Sequence, residues 1–194
     1  MTDVLTHPLI LLLVGAVLTG ILFPWLSRQS QERKQALDLK TSLVSEMTES
    51  VVSLLSRVAA VRVLQSWLPS SQAKLDAAVD EMNADYFRFR STGSVIGVKL
   101  SAYFPESEVT AEWQELNELV LEVYALEGIH DEDRRKATQV RIRGRLQERY
   151  PDLLIADDWG EITEKWAQVQ DALMRFQSDL ARRILRERVR PVRG

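Results

Sequence analysis

Glu127-Gly-Ile-His130 is the spacing in this chain with the most chemical content. A Glu-x-x-His pair puts a carboxylate and an imidazole on one helix face, as in the carboxylate di-iron bundles. Those centres take two such motifs and further inward glutamates. The chain has one other histidine, His7, and Gly128 between Glu127 and His130 reads as a helix end. The ligand set is therefore short, and His130 reads as a cap or surface residue. Asp131-Glu132-Asp133 and Asp157-Asp158 gather carboxylates without the glycine-bearing loop of an EF-hand, so they read as acids placed at helix starts.

Nucleophilic chemistry fares no better. The chain has no cysteine. A serine triad would depend on His130 and lacks the Gly-x-Ser-x-Gly elbow. Neither a phosphate-binding Gly-x-x-x-x-Gly-Lys-Ser/Thr loop nor a Gly-x-Gly-x-x-Gly turn is present. Trp113, Trp159 and Trp166 sit on or beside apolar faces and read as core. The sequence therefore assigns no catalytic residue, metal or cofactor. It argues against an enzyme, leaving only an enzyme with an unrecognised site as a third reading.

Charge is distributed in blocks although its sum is near neutral, −3. No Lys or Arg occurs between Lys99 and Arg134, and arginines then crowd Arg134–Arg149 and the C-terminal end. An acidic helix lying beside basic ones explains this first. Arg182, Arg183, Arg186, Arg188 and Arg190 are also candidates for an anionic surface, where each basic residue contributes about 1 kcal/mol on lipid. Nucleic acid is disfavoured as a partner, because no reading motif accompanies the arginines.

The elements that carry these residues begin with an uncharged run, Pro8–Leu26. As a helix its nineteen residues reach about 28 Å, close to a bilayer's hydrocarbon core. The flank 1–7 lacks the Lys or Arg that opens a secretory signal. Arg28, Arg33, Lys34 and Lys40 follow the run, so the positive-inside rule predicts a single-pass span in the cell (inner) membrane. The N-terminus would lie outside and the bulk of the chain in the cytoplasm. Gly15 with Thr19 and Ala16 with Gly20 are small residues one turn apart that allow close packing of two spans.

The expected domain plan is a flank (1–7), a transmembrane helix (8–26), a helical bundle (27–190) and a basic tail (191–194). Prolines at 69, 105, 151 and 191 punctuate the bundle. A long helix over about Ser27–Leu68 carries a heptad seam of Leu37, Val44, Met47, Val51, Leu54, Val58 and Val61, which fits a bundle better than a coiled coil between copies. Ser71–Phe104 places Leu75, Val79, Met82, Tyr86, Phe89, Gly93, Gly97, Leu100 and Phe104 on one stripe, with a kink open at Ser91–Ser94.

Glu106–Glu127 directs Val109, Trp113, Leu116, Val120 and Val123 inward, and Glu112, Glu115, Glu118 and Glu122 outward, with Gly128 as its C-terminal cap. Asp131–Tyr150 is read as a helix although Val140–Leu146 alternates like a strand. The last helix opens on a capping box at Asp158 and Glu161 and runs to Arg190, burying Ile162, Trp166, Val169, Leu173, Phe176, Leu180 and Ile184.

The fold class is thus all-α: one transmembrane helix continuing into a cytoplasmic antiparallel bundle of four to five helices. The function expected of it is a membrane-anchored scaffold, adaptor or accessory subunit acting by contact. Its expected partners are membrane lipid and a protein or a second copy. The alternative is a homo-oligomeric membrane assembly or pore subunit.

Overall fold

Valine, leucine and tryptophan at i, i+4 and i+7 spacing make residues 109–125 the centre of the fold. The computed structural model describes residues 23–67, 72–157, 159 and 163–189. Within them, every regular element is helical: α1 (Phe23–Trp67), α2 (Gln72–Tyr103), α3 (Val109–Ala125), α4 (Glu132–Arg149) and α5 (Thr163–Arg186). Helix α3 packs against α2, α4 and α5, and α4 also packs against α5. Val109, Trp113, Leu116, Val120 and Val123 are all buried, as their spacing predicts, and Leu119 joins them.

The chain divides into two compact units, 1–41 and 42–194. In the first, none of the side chains described for residues 29–41 is buried. Leu37, assigned to the seam from its heptad position, is 57% exposed. The repeat outruns the core there, since from residue 29 on the first buried side chain is Leu43. From Met47 onward the seam holds: Met47, Val51, Leu54, Val58 and Val61 are buried, with Leu43 and Leu55 added and Val44 left half-covered.

Residues 8–22 of the expected span lie outside the described residues, as do the flank, the basic tail, His7 and the packing set Gly15, Ala16, Thr19 and Gly20. Among the described residues, no helix is long and apolar enough to cross a membrane.

Helix α2 is uninterrupted through Ser91–Ser94, with no break at the Ser-Thr-Gly-Ser run. Gly93 is buried there, and the Trp113 indole N–H donates to its carbonyl at 2.9 Å. A Cβ on Gly93 would come within 2.6 Å of Asn117 Oδ1, so this glycine is what lets α3 approach. Ile96, missing from the expected stripe, is fully buried.

Two helix ends differ from expectation. Gly128 does not cap α3 in a left-handed conformation, since no described glycine has positive φ. The chain instead tightens into a 3₁₀ turn (Leu126–Gly128), with the Ile129 amide donating to Leu126 O at 3.3 Å, and then extends at Ile129. Helix α5 ends at Arg186, short of Arg190, while Asp158, Glu161 and Ile162 of its expected start lie outside the described residues.

The strand-like alternation in α4 resolves as helix. The Asp131 carboxylate accepts from the Arg134 amide at 3.0 Å and caps it. Ile142 and Leu146, one turn apart, are buried, and Val140 is left 55% exposed.

Candidate functional site

The arginines singled out in the sequence meet acids at the seam where α3, α4 and α5 come together. Arginine reaches this seam from two helices because α4 and α5 both end in basic turns. Arg149 is the hub. Its Nη2 lies 2.9 Å from Glu112 Oε1 and its Nη1 3.2 Å from Glu115 Oε2. Its guanidinium carbon sits 3.6 Å from the centroid of the Phe176 ring, a cation–π placement. Arg183 from α5 shares Glu112 Oε1 at 3.0 Å and reaches Glu108 at 3.4 Å. Arg182 pairs with Asp179 at 2.7 Å, and Asp179 also accepts the Tyr150 hydroxyl at 2.7 Å.

These contacts set the electrostatics. Burial, then the hydrogen bond to Asp179, pushes the Tyr150 phenol up to about 12, with Arg149 opposing. Burial also pulls on the Arg149 guanidinium, downward. The hydrogen bonds to Glu112 and Tyr150 and the charges of Glu112 and Glu115 outweigh it and hold it above the usual arginine range. Glu112 and Glu122 are therefore not simply outward-facing, as their spacing suggests. They turn toward α4, where Arg141 and Arg145 meet Glu122 at 3.4 and 3.6 Å. The remaining candidate arginines separate: Arg186 and Arg188 are exposed, and Arg190 lies outside the described residues.

The Glu127–His130 pair is not brought together around a shared centre. Glu127 Oε1 accepts from Arg62 Nε at 2.7 Å, and both side chains are largely buried. Arg62 in turn lies 4.6 Å from the Trp166 centroid and 5.7 Å from that of Trp159. His130 stays exposed. Among the described residues, no group of three or more His, Asp or Glu is placed to hold a metal ion. The tryptophans pack as core: Trp113 and Trp159 are fully buried, and the Trp159 indole N–H donates to Gln139 O at 3.3 Å.

One charged site was missed. Asp85 is buried on the inner face of α2, where it accepts from Ser53 Oγ at 2.7 Å and Arg57 Nε at 3.3 Å, both on α1. Arg88 adds a contact at 3.1 Å. The available signal was Asp85 standing three residues after Met82 and four before Phe89, a carboxylate inside an apolar stripe. Such a residue needs partners from the facing helix.

No protein-family profile matches the chain, and no curated protein or solved structure shows significant similarity to it.

Proposed function

We propose that this chain is a membrane-anchored helical scaffold or accessory subunit, acting through protein–protein contact and not through catalysis. The observation that carries the reading is where the ionisable side chains are spent. Arg149, Arg183, Arg62 and Asp85 are each bonded across a helix seam to a side chain of another element. That arrangement supports a shape to be recognised, since a buried pair fixes which helices meet. A catalytic group needs a free valence turned toward a substrate.

The uncharged run Pro8–Leu26, followed at once by Arg28, Arg33, Lys34 and Lys40, supports anchoring with the bundle in the cytoplasm. Lipid and a protein partner are then the two surfaces the molecule meets.

The test is fractionation followed by crosslinking. The full chain is expected to stay with sedimented membranes after carbonate washing and to resist protease added outside sealed cells. Chemical crosslinking in those membranes is expected to yield adducts with a second polypeptide. Recovery of the chain in the carbonate supernatant, or of monomer alone after crosslinking, would remove the reading.

A further inference from the structure

The outward face of α2 is apolar and small-residue in character. Phe87, Ser91, Ser94, Val95, Val98 and Ser101 fall at helical spacing on the side opposite the buried Met82–Leu100 stripe, and all six are exposed. Phe87 and Val98 are 66% and 71% exposed. No charged residue lies between Arg90 and Lys99, a stretch that runs about 12 Å along the helix.

Its polar atoms are already satisfied. Ser91 Oγ donates to Arg88 O at 2.9 Å, Ser94 Oγ to Arg90 O at 3.0 Å and Ser101 Oγ to Gly97 O at 3.0 Å. Covering these hydroxyls strands no donor, so desolvating the face is cheap. Beside it, a groove of about 620 Å³ opens between α2 and α3, with Gly97, Trp113 and Asn117 in its lining. A Cβ placed on Gly97 would have Trp113 Cδ1 at 3.8 Å as its nearest neighbour, so the groove has room for an incoming side chain.

Charge at the border selects the occupant. Arg90 is exposed, and among the described residues its guanidinium donates to the Tyr86 hydroxyl, at 3.4 Å. No carboxylate among the described residues pairs with it. Arg88 borders the opposite edge and is also exposed. Two copies packed antiparallel about Ser94 would bring Arg88 of one within a residue of Lys99 of the other. Parallel copies would set each cation beside itself. Insertion into lipid calls for Trp, Phe and Leu side chains, and beside Phe87 this face offers valines and serines.

We infer that the outward face of α2, centred on Ser94 and Val98, docks a helix of another protein: one with a small or apolar stripe and a carboxylate placed to meet Arg90. The docking is of the helix-in-groove kind. The inference rests on the contact-based function proposed above and names the surface that would serve it.

The experiment uses the full chain in the cells that make it, with a photo-crosslinking residue at position 94 or 98, and at Val140 and Leu154 as control sites. Adducts are expected at 94 and 98, and the crosslinked peptide should map to an acid-flanked, small-residue helix of a different polypeptide. Val98→Glu and Arg90→Glu, each introduced with the probe at 94, should lower that adduct at least about fivefold, the loss of roughly 1 kcal/mol of contact, while leaving the thermal melt of the purified chain unchanged. Adducts at 94 and 98 to a second copy or to lipid, or an adduct indifferent to Arg90→Glu, would overturn the inference. Protein adducts confined to Val140 or Leu154 would overturn this surface and leave contact as the mode of action. No protein adduct at any of the four positions would remove both.

Discussion

Single residues in this bundle separate steric demand from helix propensity. Gly93, Gly97 and Gly144 all lie inside helices, where alanine is favoured over glycine by about 1 kcal/mol. A methyl group added at Gly144 would meet nothing within 4 Å, and one at Gly97 would meet only Trp113 at 3.8 Å. Gly97→Ala and Gly144→Ala are therefore expected to stabilise the fold by about 0.5–1 kcal/mol each in urea titrations. Gly93→Ala meets Asn117 Oδ1 at 2.6 Å and should instead cost about 1 kcal/mol or more. Asn117→Ala in the same chain should recover that loss, and the coupling in a double-mutant cycle is the check. The sequence placed Gly93 and Gly97 on one stripe but did not distinguish them, because which glycine faces Asn117 depends on how α3 crosses α2. Tyr150 gives a pH prediction. Its folded pKa of about 12 lies above the roughly 10 of an unfolded tyrosine, so it contributes stability that is complete below pH 10. That contribution is lost as pH rises through 12. Tyr150→Phe should flatten the fall in stability between about pH 10 and 12, followed by denaturant midpoint at each pH.

At the scale of elements, what holds α3, α4 and α5 together differs in kind from what decorates them. Arg149 joins Glu112 and Glu115 and covers Phe176, with the side chain of Glu112 only 13% exposed. Arg149→Gln would leave Glu112 with Arg183 alone and is expected to cost about 1–3 kcal/mol, the range for a withdrawn group losing a charged partner. Lys136→Gln removes an i, i+4 pair with Glu132 in which both side chains are more than half exposed. Its expected cost is about 0.3–0.5 kcal/mol, and it should vanish in high salt while most of the Arg149 effect persists. Thermal melts of both variants at two salt concentrations compare them directly. The acidic and basic blocks of the sequence announced this pairing, and the helices other than α4 follow from 3.6-residue spacing. Helix α4 alternates like a strand over Val140–Leu146 and is a helix because a lone strand would have no partner. What spacing alone left open was the depth of each acid. Glu112 and Glu115 look alike on a wheel, and only the arrival of Arg149 and Arg183 from two other helices withdraws Glu112 from water. The heptad count failed at Leu37 for a related reason. A repeat records which residues share a face, and burial additionally requires a neighbour on that face.

At the scale of the molecule, fold and location should be separable at one point in the chain. Among the side chains described, Leu43 is the first that is buried, and the second compact unit begins at Ser42. Within that unit Glu46 of α1 pairs with Lys99, Thr48 bonds to Gln177, and Arg62 pairs with Glu127. A chain lacking residues 1–41 keeps these three bonds. It is expected to melt within a few degrees of the full chain, since none of the side chains described for 29–41 is buried, and a change of about 1 kcal/mol shifts the melt of a domain of this size by about 2–4 °C. The same deletion removes Pro8–Leu26 and the basic residues that follow it. If those residues anchor the protein, the shortened chain should appear in the supernatant after membranes are sedimented, with its helical circular dichroism spectrum intact. Retention of the shortened, folded chain on membranes would move the attachment to the bundle itself. The exposed Arg186 and Arg188 would then be the first residues to neutralise, with flotation on anionic against neutral vesicles as the measurement.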